Sequence, residues 1–314
     1  MAAERRKITL TTLNELRARG EPVSWLTAYD YPTALLMDRA GVEMILVGDS
    51  AGMTVLGLDS TLPVTMDQMV TFTAAVCRAA EYAFVIGDMP FMSYQTSPED
   101  ALRAAGQLMK QGGAEAIKLE GGAQHAELIR RLVVSGIPVM GHIGLTPQSY
   151  YQLGGFKVQG RDATSAERLL EDARVLEEAG AYAIVLEGIP LEVAARITAE
   201  VSVPTIGIGA GPHCDGQVLV IYDLLGMNEE FKPKFVKRYE NFAVRIRTAV
   251  DEFIDEVKNG RFPSEDESFS LAPVKQKKPA TVSAIALAGG CSPTPGSDGP
   301  GDDAGDSSPK PKKD

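Results

Sequence analysis

Eight short apolar runs alternate with helical patterns along most of the chain, and this alternation limits the possible folds more than any other feature. The runs lie at residues 23–30, 44–50, 84–91, 116–122, 139–144, 183–188, 205–211 and 218–226. Helical patterns, such as those at 66–80 and 97–113, separate most of them. Strands that alternate with helices pair in parallel through right-handed crossovers. We therefore predict an α/β protein with a (β/α)8 TIM barrel, and an open doubly wound sheet is the second possibility.

The segments outside these units predict additions to the barrel. Residues 10–20 have the pattern of an N-terminal helix, and residues 232–260 have that of helices after the last strand. The gap between residues 211 and 218 is too short for a crossover helix, so we expect an irregular barrel there. From about residue 270 onward Pro, Gly, Ser, Asp and Lys dominate, a composition that buries too little apolar surface to fold. We expect a catalytic barrel domain over residues 1–265 and a disordered tail over residues 266–314.

Charge and cysteine content narrow the possible partners and the compartment. The formal net charge is -11, which argues against nucleic acid or an acidic membrane as a binding partner. The three cysteines are far apart and form no C-x-x-C pair, as is typical of a protein in a reducing compartment. No apolar run is long enough to cross a bilayer, and the N-terminus shows no secretory pattern.

Ionisable residues stand at the ends of most of the predicted strands. They are Asp49, Asp88, Lys118, Glu120, His142 and Glu187. Each has a structural explanation when taken alone, such as a helix N-cap for a strand-end acid. In a barrel, however, the carboxyl ends of all strands meet at one mouth, where active sites lie. Carboxylates gathered there repel one another unless a cation lies between them, and hard oxygen ligands suit magnesium. The sequence therefore predicts a magnesium site at the mouth, with the acids bound directly or through water.

Several longer motifs resemble those of a known family. In order along the chain they are TAYDYPTALLMDRAGVEMILVGDS, GDMPFMSY, KLEGG, GHIGLTPQS, LEGIP, PTIGIGAG and CDGQVLVIYDLLG. They are similar to the motifs of the ketopantoate hydroxymethyltransferase family, and the similarity runs from about residue 7 to residue 265. The Pro- and Gly-rich tail lies outside the family core.

The resemblance implies an enzyme of pantothenate biosynthesis. It would transfer a hydroxymethyl group from 5,10-methylenetetrahydrofolate to 3-methyl-2-oxobutanoate through a magnesium-stabilised enolate, giving 2-dehydropantoate. The family is typically a cytoplasmic homodecamer, and its substrates are small molecules.

The resemblance also assigns roles to residues of this sequence. The magnesium ligands would be Asp49, Asp88 and Glu120. The 2-oxo acid would contact Asp49, Ser50, Asp88 and Lys118. Glu187 would accept the proton from the substrate, and His142 would assist binding or proton transfer. No residue set in the sequence specifies where the folate binds.

Two other functions fit the same residues. One is a magnesium-dependent carbon–carbon lyase that also forms an enolate. Lyases related to isocitrate lyase carry a KKCGH cysteine loop that is absent here, and Cys214 is the one cysteine that we expect near the mouth. The other is a catalytically inactive oligomeric scaffold, which the loss of acids from the cluster would favour, and none is lost.

Overall fold

A computed structural model describes residues 5–229 and 232–271 of the chain. Its eight parallel strands form a closed barrel in which each strand pairs with the next and β8 pairs with β1. The strands are β1 Val23–Thr27, β2 Met44–Val47, β3 Phe84–Asp88, β4 Ala116–Lys118, β5 Val139–Gly144, β6 Ala183–Glu187, β7 Thr205–Ile208 and β8 Gly216–Leu219. The predicted (β/α)8 TIM barrel is confirmed, and the open sheet is excluded.

Helices connect most of the strands. Those before α8 are α1 Leu10–Ala18, α2 Tyr31–Ala40, α3 Ala51–Thr54, α4 Met66–Cys77, α5 Pro98–Lys110, α6 Ala126–Val134 and α7 Tyr150–Leu153. The others are α8 Ala163–Glu178, α9 Leu191–Glu200, α10 Ile221–Leu224 and α11 Phe242–Lys258. Capping boxes start two of the long helices, at Thr65 for α4 and at Asp162 for α8. Such caps satisfy backbone N–H groups that have no partner within the helix.

Two apolar layers hold the barrel together. One fills the space between the strands and the surrounding helices. The other fills the barrel interior, where Trp25, Met44, Ile86 and Met140 are almost completely buried. The barrel is therefore a packed core, and polar side chains are confined to its carboxyl end.

The N-terminal helix α1 packs against the opposite end of the barrel. Ile8 and Leu13 are buried in the same apolar cluster as the barrel interior. Arg17 forms an ion pair with Asp215, which precedes β8, and donates a hydrogen bond to the carbonyl of Val201 before β7. The predicted N-terminal helix is confirmed, and it closes the amino end of the barrel.

The region around the last strand differs in part from its prediction. Residues 209–215 link β7 to β8 without a helix, as the short gap predicted. The predicted strand over 218–226 is wrong in its bounds, because the structure has a strand at Gly216–Leu219 and then helix α10 at Ile221–Leu224. A short apolar run does not distinguish a buried strand from a buried helical turn by periodicity alone.

Beyond β8 the described residues contain one long helix, α11, where helices over 232–260 were predicted. The chain divides into two units at Lys258, and of the second unit, residues 259–314, the structure describes residues 259–271. That stretch contains turns and bends. The predicted disorder of the tail falls largely outside the described residues and stays a prediction. Among the described helices, none is long and apolar enough to span a membrane.

Candidate active site

One cavity at the carboxyl end of the barrel collects the side chains that the sequence singled out. Its lining includes Asp49, Ser50, Asp88, Lys118, Glu120, His142 and Glu187. Asp88, Lys118 and Glu187 are the last residues of β3, β4 and β6. Trp25 and Val185 belong to the apolar part of the lining. The predicted convergence of these residues is thus observed, whereas their individual roles remain predictions.

Lys118 is the positive centre of this cluster. Strand register places it opposite Asp88, and Lys118 Nζ lies 2.8 Å from Asp88 Oδ1. The same nitrogen lies 3.8 Å from Glu120 Oε1 and 3.3 Å from His142 Nδ1. Asp88 Oδ1 accepts no hydrogen bond of regular geometry from the described residues, so its contact with Lys118 is an ion pair of close charges. All four side chains are buried.

Burial and the neighbouring charges both shift the pKa values of the side chains in this cluster. Burial, together with the charges of Asp88 and Glu120, raises the pKa of Asp49 well above its usual range. Burial also raises the pKa of Asp88, although Lys118 acts against this change. Burial disfavours the charge on Lys118, but the three surrounding carboxylates outweigh it and raise the lysine pKa. The cluster therefore holds mutually repelling acids around one cation and would be relieved by a second cation.

His142 connects the cluster to Glu187. Its Nδ1 lies 3.5 Å from Glu120 Oε1, and its Nε2 lies 3.2 Å from Glu187 Oε2. Burial and the charge of Lys118 lower the pKa of the imidazole, but contacts with the two glutamates outweigh them and raise it to about 9. The Glu187 side chain, at 17% exposure, is the more accessible partner.

Sequence reasoning missed two residues that organise the acids. Gln148 donates from Nε2 to Asp49 Oδ2 at 2.9 Å, and its backbone N–H donates to Glu120 Oε2 at 2.9 Å. The hydroxyl of Tyr94 donates to Gln148 Oε1 at 2.7 Å. Gln148 lies in a 3-10 turn after β5, where no strand or helix periodicity marks it. The only available signal was its place in the GHIGLTPQS motif.

Ser50 lines the cavity as a neutral polar residue, and Tyr29 contacts it from behind the lining. The hydroxyl groups of these residues lie 2.8 Å apart. Ser50 precedes helix α3, immediately after Asp49, and faces the cavity. A hydroxyl in this position can donate a hydrogen bond to a bound carboxylate or keto oxygen.

The donor atoms fit a magnesium ion that keeps water in its coordination shell. Among the described residues, no three His, Cys, Asp or Glu side chains lie close enough to hold an ion by themselves. Asp88 Oδ1 is a buried oxygen without a directed hydrogen bond, and two more buried acids stand beside it. Magnesium commonly binds through one or two carboxylates and completes its shell with water and substrate oxygens. This donor set therefore suits magnesium better than a metal that needs a cage of protein ligands.

Cys214 lies at the amino end of the barrel, opposite the mouth. It directly precedes Asp215, whose carboxylate accepts a hydrogen bond from the backbone N–H of Thr205 at the start of β7. The expectation that Cys214 lies near the mouth is thus wrong, because the β7–β8 link returns to the amino end before residue 214. Burial also raises the pKa of this thiol to about 11, which keeps it protonated.

Comparisons with known proteins identify a family of similar sequences. The family model for ketopantoate hydroxymethyltransferase matches residues 7–265. The chain is 57% identical over 264 residues to 3-methyl-2-oxobutanoate hydroxymethyltransferase of Syntrophus aciditrophicus, which covers 84% of this chain and 97% of that protein. The protein of the same name from Geobacter sulfurreducens is 58% identical over 262 residues, with 83% and 98% covered.

Solved structures with the same fold are more distant in sequence. A phosphonopyruvate hydrolase crystallised with oxalate and Mg++ has a TM-score of 0.55 at 14% identity and covers 84% of this chain and 92% of its own. A 2,3-dimethylmalate lyase has a TM-score of 0.54 at 16% identity, with 84% and 89% covered. These likenesses show a shared barrel fold, whereas the activity class comes from the close relatives. The match over residues 7–265, together with that identity, shows that the chain belongs to the ketopantoate hydroxymethyltransferase family and is a hydroxymethyltransferase.

Proposed function

We propose that the enzyme transfers a hydroxymethyl group from 5,10-methylenetetrahydrofolate to 3-methyl-2-oxobutanoate, giving 2-dehydropantoate in pantothenate biosynthesis in the cytoplasm. The observation that carries this proposal is the buried series of contacts from Asp88 through Lys118 and His142 to Glu187. This series supports the proposal because a cation and a carboxylate line one cavity, and the removal of a proton next to a ketone requires both. In the reaction the methylene carbon loses its bonds to N5 and N10 of the folate and gains one bond to C3 of the oxo acid and one to the oxygen of water. The proton from C3 and one proton from the water end on the two folate nitrogens.

Each side chain has a definite task in this scheme. Lys118 brings positive charge to the substrate carboxylate or to the enolate oxygen that develops when the proton leaves. Glu187 removes the proton from C3 as a general base. His142 Nε2 lies 3.2 Å from that carboxylate, so the imidazole positions the base and can exchange protons with it. Ser50, Asp49 and Asp88 complete the contacts to the 2-oxo acid.

Asp49, Asp88 and Glu120 would hold the magnesium ion, directly or through water. When bound, the ion supplies Lewis-acid stabilisation of negative charge on the substrate oxygens. Gln148 fixes Asp49 and Glu120 through hydrogen bonds, and the His142 ring stands between Glu120 and Glu187. Removing the metal is therefore expected to abolish turnover while leaving the base in place.

The test is exchange of the C3 proton of 3-methyl-2-oxobutanoate with deuterated water, followed by proton NMR. Proton removal precedes attack on the folate carbon, so exchange should occur without folate and should require magnesium. A direct transfer assay with 5,10-methylenetetrahydrofolate then completes the reaction. An enzyme that transfers nothing from the folate under any condition would refute the proposal. A lyase for another substrate need not exchange this proton, and an inactive scaffold would not.

The protein is also proposed to work as a homo-oligomer, a decamer if it follows the family resemblance. Helix α11 supports this proposal, because none of its residues is buried. Its large apolar side chains lie mostly along one stripe and are 36–51% exposed. They are Phe242, Val244, Ile246, Val250, Phe253, Ile254 and Val257. An apolar stripe of this kind commonly packs against another copy of the same chain.

Sedimentation velocity can test whether α11 contributes to assembly. Replacing Val250 with Asp puts a charge in the apolar stripe, and we expect a shift to smaller species. Thr248→Asp adds the same charge on the opposite side of the helix and serves as the matched control. A wild-type protein that sediments as a monomer, or an unchanged pattern in Val250→Asp, would contradict this role.

A further inference from the structure

A second cavity, here named the α8 cleft, lies next to the catalytic one. Side chains of the α7 region and of α8, including Gln152, Gln159, Arg168 and Asp172, line it together with the ends of β4 and β5. The mechanism above uses none of these four side chains. We infer that the α8 cleft binds the reduced folate, an inference that rests on the proposed function.

The position of the cleft fits a donor that must reach the 2-oxo acid. Some residues that line the cleft are sequence neighbours of residues that line the catalytic cavity. Gly121 follows Glu120, and Thr146 precedes Pro147. Gly144, at the end of β5, also belongs to the cleft, and a Cβ at that position would overlap the backbone carbonyl of Glu187. The lining of the cleft at Gly144 therefore lies against the backbone of the proposed base.

The side of the cleft that contains Gln159 also lies next to the end of β6. The backbone N–H of Gln159 donates a 2.9 Å hydrogen bond to the carbonyl of Gly188, which follows Glu187. Gly144 and Gln159, from two parts of the cleft lining, thus both contact the end of β6, which carries the proposed base. The one-carbon unit can be presented to C3 from this side without entering the charged interior of the barrel.

The polar groups of the cleft match the chemistry of a reduced folate. A pterin ring presents an amide-like edge of donors and acceptors, and its tail ends in glutamate carboxylates. Asp172 accepts the backbone N–H of Ala123 through Oδ1 at 2.8 Å, and its Oδ2 has no hydrogen-bond partner among the described residues. Arg168 forms no ion pair with any residue that the structure describes, although it lies on an exposed part of α8. Asp172 suits the pterin edge, and Arg168 suits a carboxylate of the tail.

Aromatic side chains beside the cleft offer a stacking surface for a ring system. Tyr150 and Phe156 have ring centroids 4.9 Å apart, and Tyr151 lies 5.4 Å from Tyr150. Tyr151 is 80% exposed and Phe156 is 48% exposed. Tyr150 and Tyr151 lie in sequence between Ser149 and Gln152, which both line the cleft. Exposed aromatic rings that flank a polar cleft are well placed to cover a flat heterocycle or its aminobenzoyl group.

Two variants and two donors test the assignment. Arg168→Ala should raise the KM for 5,10-methylenetetrahydrofolate about 10- to 100-fold, as expected for the loss of a charge-assisted hydrogen bond. With the formaldehyde adduct of a tetrahydropterin that lacks the glutamate tail, the same variant should behave like the wild type. Asp172→Asn keeps an oxygen that can accept the backbone N–H of Ala123. It should impair transfer from both donors, because residue 172 is proposed to contact the pterin ring that both donors contain.

The folate-independent exchange of the C3 proton is the internal control for both variants. We expect it to stay at the wild-type rate, because neither side chain belongs to the 2-oxo acid site. An unchanged folate KM in both variants would overturn the assignment, as would an exchange rate that falls in step with transfer. A wild-type enzyme that shows no transfer from folate would instead refute the proposed function, so the two failures are distinct.

Discussion

The Glu187→Gln variant is expected to exchange the C3 proton of 3-methyl-2-oxobutanoate about 100- to 10,000-fold more slowly than the wild type. Glutamine keeps the size of the side chain and can still contact His142 Nε2, which lies 3.2 Å from the Glu187 carboxylate in the wild type. It lacks the basicity needed to accept a proton from carbon. Proton NMR in deuterated water measures the rate directly, and isothermal titration measures whether the 2-oxo acid still binds.

Binding should survive this change, because Glu187 lies on β6, away from the carboxylates at the ends of β2, β3 and β4. Glu192→Gln, at an exposed position in the first turn of α9, is the matched control and should exchange at the wild-type rate. Exchange at full rate in Glu187→Gln would show that another group is the base. His142 would then be the next residue to replace.

Two substitutions within the buried cluster should change the stability of the metal-free enzyme in opposite directions. Lys118→Met leaves the carboxylates of Asp88 and Glu120 buried without their cation, which typically costs about 3–5 kcal/mol. Asp49→Asn removes a carboxyl group whose charged form the fold disfavours, so it should stabilise by about 1 kcal/mol or more. Urea unfolding in the presence of a chelator, at one protein concentration, measures both effects.

The sign for Asp49 follows from its raised pKa in the folded protein. A raised carboxyl pKa means that the folded state holds the proton more tightly, so this group stabilises the fold least when the pH is high. At neutral pH the wild type therefore carries an unfavourable contribution that the asparagine variant lacks.

Added magnesium should make the wild type more stable than Asp49→Asn. The ion neutralises the repulsion among the buried carboxylates of the wild type, and it binds the variant more weakly. Manganese titration should show the same loss of affinity in Asp88→Asn and Glu120→Gln, with Glu99→Gln on the exposed surface as a control. A destabilised Asp49→Asn in chelator, or equal metal stabilisation of both proteins, would contradict this account.

The sequence was sufficient to predict the barrel and the residues at its mouth, because both follow from a repeated pattern. Parallel strands bring their carboxyl ends together, so a polar residue at each strand end is enough to predict a cluster. The two-residue spacing of Lys118 and Glu120 also predicted a common face, and their atoms lie 3.8 Å apart. The resemblance added roles that spacing alone could not supply.

What escaped prediction lies in segments without periodicity. Gln148 stands in a 3-10 turn, and its hydrogen bonds to Asp49 and Glu120 depend on the path of the chain after β5. The α8 cleft joins the ends of β4 and β5 to side chains about 25 to 50 positions later, a contact that no local pattern indicates. The bounds of β8 were missed because an apolar run continues from that strand into α10.

Helix α1 has a consequence for how reactants reach the active site. Since Ile8, Leu13 and the apolar interior close the amino end of the barrel, the reactants of the proposed reaction enter from its carboxyl end. Under that proposal the small oxo acid lies against Lys118 and Asp88, and the folate lies beside it in the α8 cleft. Substrates and products would therefore pass through the same end of the barrel. A helix far from the reacting atoms thus makes the barrel a pocket and not a channel.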